Sequence, residues 1–90
     1  MPSYLVETYI ARGRASELAD RERRARSAAE ELTQGTTPVS LDRSIHVPED
    51  EICFYVFDAP SARDAEAAAQ RAGLDPIRVV EAVSFGKEER

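Results

Sequence analysis

The sequence predicts one α+β domain, a four-stranded antiparallel sheet with two helices on one face. Three observations carry this. Four short segments are β-rich and apolar, most of them alternating with period 2. Two segments repeat apolar residues at helical spacing. Their order over the 90 residues is strand, helix, strand, strand, helix, strand. A β-α-β-β-α-β order is that of the split βαβ, or ferredoxin-like, sandwich. Right-handed crossovers then put the first and third strands in the middle and both helices on the same side.

The first strand is expected over 3–10. Tyr4, Val6, Thr8 and Ile10 share one face; Leu5, Glu7 and Tyr9 share the other. Residues 11–15 make a connection. Ser16 is the expected N-cap of the first helix, with Glu17 in its first turn. Leu18, Ala25, Ala28, Ala29 and Leu32 form the inner stripe. Glu17–Arg21, Asp20–Arg24 and Glu22–Arg26 stand at i,i+4 on the opposite face. Gly35 ends the helix, and Thr36-Thr37-Pro38 turns the chain.

The second strand is expected over 40–47. Leu41, Ile45 and Val47 face one way, with Arg43 at the margin; Asp42, Ser44 and His46 face the other. Pro48-Glu49-Asp50-Glu51 is turn chemistry. The third strand, 52–58, is apolar on both faces, which marks it as central. Ser61, followed three residues later by Asp64, opens a second helix with a capping-box-like start. Ala62, Ala65, Ala68, Ala69 and Ala72 are its inner stripe. Gly73 and Leu74 suit a Schellman ending. The last strand is expected over 77–85, so the domain is 1–85 and 86–90 a frayed charged tail.

Two helices leave one sheet face bare. That face is read as Leu5, Glu7 and Tyr9 with Cys53, Tyr55 and Phe57, or alternatively with Phe54 and Val56 in place of the second group. Either set exposes large apolar groups. At about 25 cal/mol per Å² this forfeits several kcal/mol, a large share of a small domain's stability. A homodimer packed sheet on sheet is therefore expected, a closed twofold of the dimeric α+β barrel type.

Composition removes other classes. With 17 acidic and 12 basic residues the net charge is −5, which repels a nucleic-acid backbone. The arginines of the first helix are interleaved with acids on a solvated face. No segment approaches the roughly 20 apolar residues of a membrane span, and the start carries no basic leader pattern. A soluble cytoplasmic protein is expected. One cysteine, Cys53, gives no disulfide framework.

The chemistry-bearing residues sit on or beside the bare face. Glu7, Tyr9, Asp42, Ser44, His46, Cys53 and Tyr55 can converge there, joined by Glu81. Glu7, His46 and Cys53 offer a carboxylate, an imidazole and a thiolate, competent ligands for a divalent transition metal. Glu7, Tyr9, Ser44 and Tyr55 are the candidate contacts to a small molecule. The chain has no CxxC, HExxH or EF-hand loop. Two readings stay open for Glu7: a buried proton acceptor or ligand, or a partner of Arg43 or Arg78 across the sheet. Cys53 reads as a buried small apolar group before a nucleophile.

Tyr4-Leu5-Val6-Glu7, Arg43-Ser44-Ile45, Pro48-Glu49-Asp50-Glu51, Cys53-Phe54, Ala59-Pro60-Ser61, Arg71-Ala72-Gly73-Leu74 and Val80-Glu81-Ala82-Val83 together resemble a family of small bacterial domains of unknown function. The family is common in actinobacteria, and one branch is described as nickel-binding. The resemblance runs from Met1 to about Phe85. It implies a ferredoxin-like fold, a dimer, and Glu7, Ser44 and Cys53 as matched positions near the sheet face. The nickel-binding branch carries a histidine immediately before the serine matching Ser44. This chain has Arg43 there, and its one imidazole is His46. Three functions are consistent with the sequence: a dimeric protein binding nickel or another divalent metal, a small-molecule binder or enzyme using Glu7 or His46 as a base in the intersubunit hollow, and an interaction module with no ligand.

Overall fold

A computed structural model describes residues 1–85. The charged tail expected at 86–90 lies outside them. The elements are β1 (Ser3–Tyr9), α1 (Leu18–Gln34), β2 (Ser40–Val47), β3 (Ile52–Asp58), α2 (Ala62–Arg71) and β4 (Arg78–Ala82), with 3₁₀ turns over Arg12–Glu17 and Pro48–Asp50. The strands form one sheet in the order β2-β3-β1-β4, every neighbour antiparallel. This α+β arrangement is compatible with a ferredoxin-like fold.

The termini follow local chemistry. Ser61 caps α2: its hydroxyl accepts from the Asp64 amide at 3.2 Å and donates to the Asp64 carboxylate at 2.9 Å. The far end closes as a Schellman motif. Gly73 takes the left-handed conformation, its amide donates to Gln70 O at 2.9 Å, and the Leu74 amide donates to Ala69 O at 3.0 Å. Helix α1 departs from expectation at both ends. Its N-cap is Glu17 rather than Ser16, because the 3₁₀ turns absorb the residues before it, and no side chain caps it. Gly35 keeps a negative φ, and Thr36 takes the left-handed position at φ 85°. All three expected i,i+4 pairs form, at 3.0–3.3 Å. Strand β4 is shorter than the expected 77–85.

The core fills the space between the helices and one sheet face. Tyr4, Val6, Thr8 and Ile10 meet Cys53, Tyr55 and Phe57 there, beneath Ala25, Ala28, Ala29, Ala65, Ala68 and Ala69. Alanine stripes let the helices approach closely, and the strand rings supply the buried area. Thr8 is fully buried and donates its hydroxyl to Cys53 O at 2.8 Å. Register fixes the sides. Tyr4, Val6 and Thr8 oppose Phe57, Tyr55 and Cys53, whereas Leu5 and Glu7 oppose Val56 and Phe54. Cys53, Tyr55 and Phe57 are therefore inside, and the bare face carries the Phe54 and Val56 alternative. Strand β1 fixes this choice, since its two faces differ and β3's do not.

Strand β2 holds a second correction. A bulge between Leu41 and Arg43 breaks the register. Before it, Leu41 opposes Phe57 and is buried in the core; after it, Ile45 opposes Phe54 and Val47 opposes Ile52. Leu41 and Ile45 thus lie on opposite faces, where strict alternation puts them together.

Candidate functional site

The bare face is the sheet surface opposite the helices, and no helix among the described residues covers it. Its central rows are Arg43, Val56, Leu5 and Val80, then Ile45, Phe54, Glu7 and Arg78, read across β2, β3, β1 and β4. Val47, Ile52 and Tyr9 extend it at one end. Tyr9 is 56% exposed and Ile45 42%, although both belong to well-formed strands. The face is apolar at its centre, with three charges set among apolar neighbours. Glu7 and Arg78 are direct register partners between β1 and β4. Cross-strand opposite charges are the favourable arrangement.

The residues expected at one site are divided by the sheet. Glu7 and Tyr9 lie on the bare face. Cys53 and Tyr55 lie beneath the helices, at 1% and 0% exposure. His46 and Ser44 oppose Cys53 and Tyr55 in the β2–β3 ladder and so stand on the helix side, near the sheet edge. Of the other convergent candidates, Glu81 opposes Tyr4 and is turned from Glu7, and Asp42 sits at the bulge, exposed. The small-molecule set Glu7, Tyr9, Ser44 and Tyr55 splits two and two.

Each helix-side group has its own local account. Ser44 donates to the Glu22 carboxylate of α1 at 2.8 Å, and Arg26 donates to the other oxygen at 3.0 Å. These two bonds hold the Glu22 carboxyl below its ordinary value, the Ser44 bond contributing most. Burial pushes the Cys53 thiol up from its ordinary value. Burial also raises the Tyr55 phenol, which lies beside that thiol, and its hydroxyl finds no hydrogen-bond partner among the described residues.

Glu7 pairs with Phe54 on the bare face, whereas Cys53 and His46 pair with each other on the helix side, so the sheet separates Glu7 from the other two members of the expected ligand set within one chain. Among the described residues no three His, Cys, Asp or Glu side chains come together as a metal-holding group.

A cleft of about 270 Å³ opens between α1 and the start of β2, lined by Ala29, Thr33, Val39 and Leu41 with Arg26 and Glu30 at its rim. Thr33 closes part of the adjoining backbone: its hydroxyl donates to Val39 O at 2.8 Å and accepts from the Val39 amide at 3.0 Å. Sequence reasoning missed this cleft and the Ser44–Glu22 bond. Both depend on where α1 lies over β2, which alternation within either element does not encode.

Among the described residues, no helix is long and apolar enough to cross a membrane. Comparison with family models, with curated proteins and with solved structures finds no match to this chain.

Proposed function

We propose that the chain acts as a homodimer joined through its bare sheet face, an interaction module whose paired sheets form the ferredoxin-like barrel the element order suggests. One observation carries this reading: Leu5, Ile45, Phe54, Val56 and Val80 are contiguous on the face opposite the helices. Isolated exposed apolar residues need no explanation, but a contiguous sheet face does. A twofold interface must be self-complementary, and this face carries Glu7 as well as Arg43 and Arg78, so two copies offer each other both signs of charge. Any small-molecule site in such a dimer uses Glu7 and Tyr9, the two polar candidates that share the face.

Sedimentation equilibrium on the purified chain tests this. The expected result is a dimer at micromolar concentration, and a Phe54→Asp variant that sediments as a folded monomer with unchanged far-ultraviolet dichroism. A wild-type chain that stays monomeric at several hundred micromolar overturns the reading.

A further inference from the structure

Beyond β4 the chain carries Val83, 67% exposed, and Phe85, 92% exposed. They alternate as strand residues do, yet none of the described residues covers them. Their position in the fold matters. The register row Ser40–Asp58–Ser3–Ala82 crosses the whole sheet. The end of β4 and the start of β2 therefore lie at the same end of the sheet, on opposite edges. At that end, beside β2, opens the α1–β2 cleft with Ala29, Val39 and Leu41 in its wall.

Two sheets packed face to face about a twofold parallel to their strands place the β4 edge of one copy over the β2 edge of the other. That operation keeps the two ends of the sheet distinct. It carries the segment after β4 toward the partner's α1–β2 cleft. Seating an aromatic ring adds about 150–250 Å² of buried surface for each copy, beyond what the sheet face supplies. The cleft, at about 270 Å³, has room for a phenyl ring.

We propose that the twofold of the dimer runs parallel to the strands and that Val83–Phe85 is an exchanged arm, with the Phe85 ring of each copy seated in the α1–β2 cleft of the other. This rests on the sheet-face dimer of the preceding section and adds a second, reciprocal contact to it. The cleft takes a residue of a second copy of this chain.

The test replaces Phe85 with a photoreactive benzoylphenylalanine in the full chain. An equimolar mixture of ¹⁴N- and ¹⁵N-labelled protein is unfolded, refolded, irradiated and mapped by mass spectrometry. The expected product is a mixed-isotope cross-link to the Ala29–Leu41 segment, together with a Phe85→Ala variant whose dimer dissociates at least tenfold more readily. Mixed-isotope cross-links to other segments only, or links within one chain only, from a protein that sediments as a dimer, overturn the arm and leave the sheet-face dimer standing. A monomer in the sedimentation control removes both.

Discussion

The two faces of the sheet are built from similar residues and have different fates. Beneath the helices, Val6, Tyr55 and Phe57 are fully buried, and the one buried polar residue of that layer, Thr8, is hydrogen-bonded. On the other face Leu5, Phe54 and Val80 have the same kind of side chain and keep partial contact with water. Adjacent strand residues such as Phe54 and Tyr55 thus differ in environment through pleating alone. Hydrophobicity by itself does not say which face is core. The small residues of the helices do, because they sit over one side and leave the other uncovered among the described residues. Glu7, Arg43 and Arg78 mark that other side as a surface that tolerates charge, and among the described residues no charged side chain lies in the helix-side core.

The contrast is broken most directly by paired truncations. Phe57→Ala is expected to cost about 3–5 kcal/mol in chemical denaturation, since it empties a site with no solvent access. Phe54→Ala, one pleat away in character, should cost well under half of that in a variant already monomeric through Val80→Asp. Equal losses in that monomeric background would mean that the two faces are not distinct. Tyr55→Phe sharpens the comparison from inside the core. It removes a buried hydroxyl without a partner, so the variant is expected to be as stable as wild type or more stable, by up to about 1 kcal/mol in urea titration. A clear loss would show that the hydroxyl is bonded in solution.

The smallest effect concerns acid. The Glu22 carboxyl titrates below its ordinary value in the folded chain because of Ser44 and Arg26. A depressed folded value stabilises the fold above the unfolded carboxylate range, and that stability is lost as pH falls through the folded value. Glu22 is largely solvated, so the effect is modest. Ser44→Ala should lower the melting temperature at pH 7 by a degree or two and narrow its gap to wild type below pH 4, read by calorimetry at both pH values. A gap that widens in acid would reject this account.

Much of the fold was legible in the sequence, for reasons local to particular residues. Element order came from periodicity. Ser61 with Asp64, and Gly73 with Leu74, announced the ends of α2 because caps are made by residues close in sequence. The i,i+4 ion pairs of α1 were readable on the same ground. The candidate site was less legible. Strand β3 is apolar on both faces, so only its pairing with β1 tells Cys53 and Tyr55 from Phe54 and Val56. Glu7 and Cys53 looked like neighbours and face opposite ways. Ser44 and His46 were separated from Glu7 by register, a property of two strands together.

The bulge after Leu41 gives β2 two allegiances. Its opening residues are wall to the interior, and its closing residues, Ile45 and Val47, belong to the outer plane. A single strand therefore links the interior packing to the plane on which a companion subunit would rest. Bulges raise local twist, so the pitch of that outer plane is fixed partly by how Leu41 seats under α1. Substitutions in the interior near Leu41 thereby acquire a route to the shape of the outer plane that passes through the backbone, with no contact between the two places.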